Sequence, residues 1–228
     1  MGISVVLFDL DGTLVDSIAL ILESFRYSLG KMGIHAGDEE ILNTIGLPLK
    51  DVCRDFAGDR GDELFKCYVD YQDDIHDLHV KEYPGATDLL EYLKERGCRL
   101  GIVTSKRRAM ANRALAVTGL DKYVEMIVAF EDTPAHKPDP EPVQKALKAF
   151  GSAPEEALYV GDSPYDIRCG KNAGVYTAGV TWGVTSEEQI RMEQPDLIAH
   201  DLMELKEFIE EKMDGGLSGW CFLPPAKL

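Results

Sequence analysis

Residues Val5 to Ser17 read VVLFDLDGTLVDS, an apolar run that ends in two aspartates, Asp9 and Asp11, separated by one leucine. Carboxylates this close repel each other unless a cation or a shared proton offsets the repulsion, so the spacing points to chemistry. Other short apolar runs also end in reactive or phosphate-binding residue types. Thr104 and Ser105 follow RLGIV, Lys137 lies in the loop after IVAFEDTPAH, and Asp162 and Asp166 follow ALYVG. Carboxylates suited to a hard cation such as Mg²⁺, one lysine, and hydroxyl and backbone donors together form the set that a dianionic phosphoryl group requires. A calcium loop fits poorly. Counted from Asp9, its sixth and twelfth positions would be Leu14 and Leu20, where an EF-hand needs Gly and Glu.

These residues need a scaffold that brings chain-distant segments together. SVVLF, RLGIVT, EMIVAF, ALYVG and VYTAGV are short, rich in Val and Ile, and apolar on successive positions, which predicts strands buried on both faces of a parallel sheet. Helical patterns lie between them, in ATDLLEYLKERG, RRAMANRALAVTG and DPEPVQKALKAFG, each closed by a glycine. Alternation of strand and helix predicts an α/β, doubly wound, Rossmann-like parallel sheet, whose ligands bind beyond the carboxyl ends of the strands. Residues 16–82 carry no convincing strand. SIALILESFRYSLGKMG, DEEILNTIG and GDELFKCYVDYQDDIHDL read as amphipathic helices, so a small helical cap inserted into the sheet domain is expected. The expected division is a discontinuous core of 1–15 and 83–214, a cap of 16–82 hinged near Pro84 and Gly85, and a Gly- and Pro-rich extension of 215–228.

Composition narrows the functional classes. The formal net charge of −16 over 228 residues disfavours nonspecific binding to nucleic acid or an anionic membrane, while a small phosphorylated metabolite responds to the local field of a metal and a few lysines. Five cysteines, scattered and never spaced as C-x-x-C, indicate neither a disulfide framework nor a zinc site, which favours a reducing, cytoplasmic setting. Asp9 and Asp11 interrupt any apolar stretch of signal-peptide length, and no later run reaches membrane-span length. A monomer and a homodimer are both compatible with these features.

DLDGT after a strand, IVTSK, HKPDP and GDSPYDI resemble, in order, the four motifs of the haloacid dehalogenase superfamily, with the helical insert where that family carries its first cap type. The resemblance spans Ser4 to Lys212. From LDKY through HKPDPEPV to AGVTWG the chain is most similar to the phosphoglycolate phosphatase and pyrophosphatase branch. The resemblance implies Asp9 as the nucleophile that becomes an aspartyl phosphate and Asp11 as the acid and base, its backbone carbonyl a metal ligand. Thr104 and Lys137 would hold the transferring oxygens, with Ser105 and the backbone after Asp9 adding donors. Asp9, Asp11 and Asp162 would form the Mg²⁺ site, and Asp166 would bind through water or orient the others. Gly12 and Thr13 fit a tight turn near the phosphate.

Plainer readings stand beside these. Asp and Gly are turn formers, Lys137 alone would read as a solvated loop lysine, Thr104 as a strand residue, and Asp166 as a helix cap. In the cap, Gly46 and Lys50 are candidates to approach the substrate, and His76 and His79 read as an exposed helix face. Of Lys106, Arg107 and Arg108, one, with Lys106 the candidate, is expected to face the substrate's distal group and two to be solvated. The expected activity is a Mg²⁺-dependent phosphatase acting on 2-phosphoglycolate or pyrophosphate. Alternatives are a β-phosphoglucomutase-like phosphomutase and a catalytically silent binding protein on the same fold. Asp11 and the absence of a clear cap lysine for a Schiff base disfavour dehalogenase and phosphonatase activities.

Overall fold

The computed structural model describes residues 2–213, so the expected extension of 215–228 lies outside the described residues. Strand β1 (Val5–Phe8) and the two-residue β2 (Val15–Asp16) precede helices α1 (Ile18–Lys31), α2 (Asp38–Leu42), α3 (Leu49–Ala57) and α4 (Gly61–His79). Next come β3 (Lys81–Glu82), α5 (Ala86–Glu95), β4 (Arg99–Val103), α6 (Arg108–Thr118), β5 (Met126–Val128) and α7 (Glu141–Phe150). The chain continues through β6 (Ala157–Gly161), α8 (Pro164–Ala173), β7 (Tyr176–Val180), α9 (Glu187–Met192), β8 (Leu197–Ala199) and α10 (Leu202–Met213).

Six strands form one parallel sheet in the order β5-β4-β1-β6-β7-β8. The order reverses at β1, which pairs with β4 on one side and β6 on the other, so the segment after β1 lies at the switch point where α/β sheets bind ligands. Alternate residues face opposite layers, as the period of two dictates. Val6, Phe8, Ile102 and Val160 join one apolar cluster, whereas Val5, Leu7 and Tyr159 join the other. Helices α1 to α4 enclose a third cluster of their own, built on Phe25, Leu29, Ile41, Val52, Leu64 and Tyr68.

Four expectations change here. The segment expected to lack strands begins and ends in an antiparallel ribbon, Val15 opposite Glu82 and Asp16 opposite Lys81, so paired backbone joins the helical segment to the sheet. Two residues are too few to show a period. The segment holds a further helix, α3, where Leu49, Val52, Cys53 and Phe56 recur at helical spacing behind Pro48 at the N-cap. β5 stops at Val128, and residues 130–132 turn as a 3₁₀ helix. His76 is fully buried, because α4 packs that face against the sheet domain while Arg113 of α6 donates to Asp77 and to the Asp73 carbonyl. Among the described residues no helix is long and apolar enough to cross a membrane.

Candidate active site

Asp9, Thr104 and Asp162 each follow directly on the last residue of β1, β4 and β6, so hydrogen bonding of neighbouring strands sets three polar side chains side by side. The ladder carries past the strand ends, with the Asp9 N–H donating to the Val160 carbonyl at 2.8 Å and the Thr104 N–H to that of Val128 at 2.9 Å. After Asp9 the chain turns sharply. Val15 N–H returns to the Leu10 carbonyl and Gly12 N–H to that of Val15, with Gly12 at φ +82°, a region a side chain disfavours. A Cβ on Gly12 would also lie 2.4 Å from Asp162 Oδ2, so the turn packs directly against that carboxylate. Gly12 and Thr13 therefore contact Asp162; Thr13 Oγ1 donates to its Oδ1 at 3.2 Å, and the Val184 N–H donates to its Oδ2 at 3.1 Å.

Lys137 reaches this group from the loop between β5 and α7. Its buried ammonium donates to Asp9 Oδ1 at 2.7 Å and to Asp166 Oδ1 at 2.6 Å. Asp166 has two tasks. Ser163 and Asp166 form the capping box of α8, Ser163 N–H donating to Asp166 Oδ2, while Oδ1 receives Lys137 and lies 3.0 Å from the Tyr159 hydroxyl. Protein donors thus surround both Asp166 oxygens, which suits an orienting role more than direct ligation.

Asp9, Asp162 and Asp166 are all buried and offer oxygens within 4.8 Å of one another. Burial pushes the Asp9 carboxyl up to about 7, Lys137 pulling it back and Asp166 raising it further. Burial, then Asp166 and Asp9, hold Asp162 well above the usual carboxylate range. Burial alone would lower Lys137, but Asp166 and Asp9 outweigh it and keep the ammonium protonated above its usual range. Were all three carboxylates ionised, the one ammonium would leave two negative charges for a divalent cation to balance, and the all-oxygen donors suit Mg²⁺. By donor set and charge, the residues present fit that ion.

Asp11 stands apart from this group. Its carboxylate receives Lys106 Nζ at 2.6 Å and the Ser17 hydroxyl. Asp9 and Asp11 open onto a cavity of about 80 Å³ whose walls include Thr44, Gly46, Gln72, Thr104, Ser105 and Lys106. Gly46 therefore reaches the site from the helical segment. Lys50 does not line this cavity; it borders a neighbouring one of about 20 Å³ that shares Ser105 and Arg107 with the first. The expectation that two of Lys106, Arg107 and Arg108 are solvated is corrected, since Lys106 and Arg107 both line the cavity and only Arg108 turns away, to Asp132. The turn before α6 makes this choice, and residue type alone carried no signal for it. Tyr68 and Gln72 are polar wall residues that sequence reading passed over; they sit four apart on α4 with Gln72 Nε2 donating to the Tyr68 hydroxyl at 2.8 Å. That spacing was the available signal.

Residues 6–180 match the family described as Haloacid dehalogenase-like hydrolase. Pyrophosphatase PpaX of Bacillus pumilus is 41% identical over 206 residues, 89% of this chain and 94% of the relative. A haloacid dehalogenase-like family hydrolase of Streptococcus pneumoniae superposes with a TM-score of 0.81 at 28% identity, covering 90% of this chain and 98% of that one. A Haemophilus somnus structure described as a predicted phosphoglycolate phosphatase gives a TM-score of 0.81 at 26% identity, covering 90% and 97%.

Proposed function

Because the chain belongs to the haloacid dehalogenase-like hydrolase family and is a phosphatase of that class, we propose that it hydrolyses a compact phosphorylated metabolite through a phosphoryl group carried on Asp9, with Mg²⁺ as cofactor. Inorganic pyrophosphate is the first substrate proposed and 2-phosphoglycolate the second. The observation that carries the reading is the buried Asp9–Lys137–Asp166 ion-pair group, beside Asp162, opening onto a small cavity that also holds Asp11 and Lys106. The size of that cavity supports a ligand of a few non-hydrogen atoms over a nucleotide. The name borne by the B. pumilus relative supports pyrophosphate, and the H. somnus description supports phosphoglycolate.

In this reading Asp9 attacks phosphorus while Asp11 gives its proton to the departing oxygen, which leaves as the alcohol or as phosphate. Asp11 then takes a proton from water as that water attacks the phosphoryl group, returning Asp9 and releasing phosphate. Lys106 and Ser17 fix where the Asp11 carboxyl sits, so the pair that seemed too close divides its work by environment. Lys137 steadies Asp9 and the charge that develops on the transferring oxygens; Thr104 and Ser105 add donors from the strand end. Bound at Asp9 and Asp162, with Asp166 orienting, Mg²⁺ would supply positive charge to the nucleophile and phosphoryl oxygens. Helices α1 to α4 act as a cap that keeps bulk water from the intermediate.

The test is phosphate release with Mg²⁺ from a panel of pyrophosphate, 2-phosphoglycolate, sugar phosphates and nucleotides, with Asp9→Asn as control. Release from one compact substrate that vanishes in Asp9→Asn is the expected result. Unchanged release in that variant would refute the nucleophile, and little net phosphate release together with turnover of a sugar phosphate that needs a bisphosphate activator would favour the phosphomutase.

A further inference from the structure

The segment Thr181, Trp182, Gly183 and Val184 follows β7 and is not used in the hydrolytic steps, yet it closes a ring of contacts around Asp162. Asp162 Oδ1 accepts from the Thr13 hydroxyl at 3.2 Å and Oδ2 from the Val184 N–H at 3.1 Å, so two chain-distant segments each hold one oxygen. Trp182 joins those segments, its indole Nε1–H donating to the Thr13 carbonyl at 3.0 Å. Thr13 is buried, and among the described residues no backbone N–H donates to that carbonyl, so losing the indole N–H would cost free energy. Gly12 and Gly183, one on each segment, leave no room for a Cβ beside Asp162, where it would lie 2.4 and 2.3 Å from Oδ2. A small slip of one segment against the other would therefore move the carboxylate. The Trp182 ring also meets Tyr83 edge-on, with centroids 6.5 Å apart and planes at 60°. Tyr83 follows β3 directly and its N–H donates to the Leu14 carbonyl at 3.0 Å, so Trp182 touches the chain on both sides of the β2–β3 ribbon that joins the helical segment to the sheet.

We infer that Trp182 is a positioning residue for Asp162: its indole N–H keeps the Thr13 and Val184 donors in register on the two carboxylate oxygens, and its ring anchors that unit to the hinge of the helical segment. The inference rests on the Mg²⁺ reading of Asp162 given above and adds to it a residue that neither lines the main cavity nor supplies a ligand atom. The two parts of the role are separable. Trp182→Phe keeps a ring against Tyr83 and removes the side chain's one donor, whereas Trp182→Ala removes both. A carboxylate whose donors drift apart no longer presents its remaining lone pairs in one direction, so ligation weakens although no ligand is lost.

The experiment follows amide hydrogen exchange by NMR in EDTA and, separately, Mg²⁺ binding by calorimetry, both on the full chain. Trp182→Phe is expected to speed exchange of the Val184 N–H about tenfold and to weaken Mg²⁺ about tenfold, while the Tyr83 N–H exchanges as in wild type. Trp182→Ala is expected to speed exchange at both Val184 and Tyr83. The Thr104 N–H, bonded to the Val128 carbonyl on the far side of the sheet, reports general loosening and should rise by less than that of Val184 in either variant. Val184 exchange and Mg²⁺ affinity that stay at wild-type values in Trp182→Ala, or a rise at Thr104 equal to that at Val184, overturn the positioning role. Wild-type protein that binds no Mg²⁺ refutes the metal reading, while exchange at Val184 still decides whether Trp182 places the donors to Asp162.

Discussion

Lys137→Met removes the ammonium that pairs with Asp9 and Asp166, and the consequence for stability can be worked from the ion pairs. The Lys137 side chain is 2% exposed and its partners 6% and 1%, so solvent screens little of what is lost. Removing one partner of a buried pair typically costs about 3–5 kcal/mol, because the remaining charge is left uncompensated. For a chain of this size each kcal/mol moves Tm by about 2–4 °C, which gives a drop of about 6–20 °C in EDTA at pH 8. The pH dependence follows from Asp9. Its folded pKa, about 7, stands above the ordinary 3.8, so its protonated form favours folding; that contribution is complete below the ordinary value and is lost as pH rises through about 7. At pH 5 Asp9 is already mostly protonated in the wild type, Lys137 keeps one charged partner in place of two, and the penalty of the substitution should shrink. Thermal unfolding followed by circular dichroism at pH 5 and pH 8, with EDTA, measures both effects. A Tm within about 2 °C of wild type at pH 8, or a loss that does not shrink toward pH 5, would refute the account of the buried ion pairs.

Mg²⁺ affinity should weaken as pH falls through about 7, since protons on Asp9 and Asp162 compete with the ion; calorimetric affinity that is flat from pH 6 to 8 would count against these ligands. Gly183→Ala would place a Cβ 2.3 Å from Asp162 Oδ2, where the carboxylate is held by backbone and Thr13, so it should cost about 1–3 kcal/mol of stability and weaken Mg²⁺ binding. Unchanged metal affinity in that variant would show that Asp162 is not placed by this packing.

The site's principal residues were legible because Asp9, Thr104 and Asp162 follow directly on buried strands, and Asp11 and Lys137 lie in the loops after β1 and β5, with chemical types that a buried sheet terminus does not otherwise favour. Asp9, Asp11, Thr104, Lys137 and Asp162 fall where alternation of apolar runs and helices said that a doubly wound sheet would gather them. Such patterns are local, so length, period and the residue after each run suffice. The plainer reading of Asp166 as a helix cap also holds, since with Ser163 it forms the capping box of α8.

What sequence alone left open concerns contacts made across the fold. The capping carboxylate of Asp166 also receives Lys137, from a loop 29 residues earlier, so one side chain serves the cap and reaches the buried ammonium, and only packing joined the two. His76 looked like a polar face until α6 was laid against α4, and the directions of Lys106, Arg107 and Arg108 depended on one turn before α6. The two-residue ribbon at the base of the helical segment is held by pairing between residues far apart in the chain and has no period to read. Local pattern determined the layers, the strand ends and the types of reactive residue. Tertiary packing decided which carboxylate is bound by which donor, because burial and distance exist only once the segments have met.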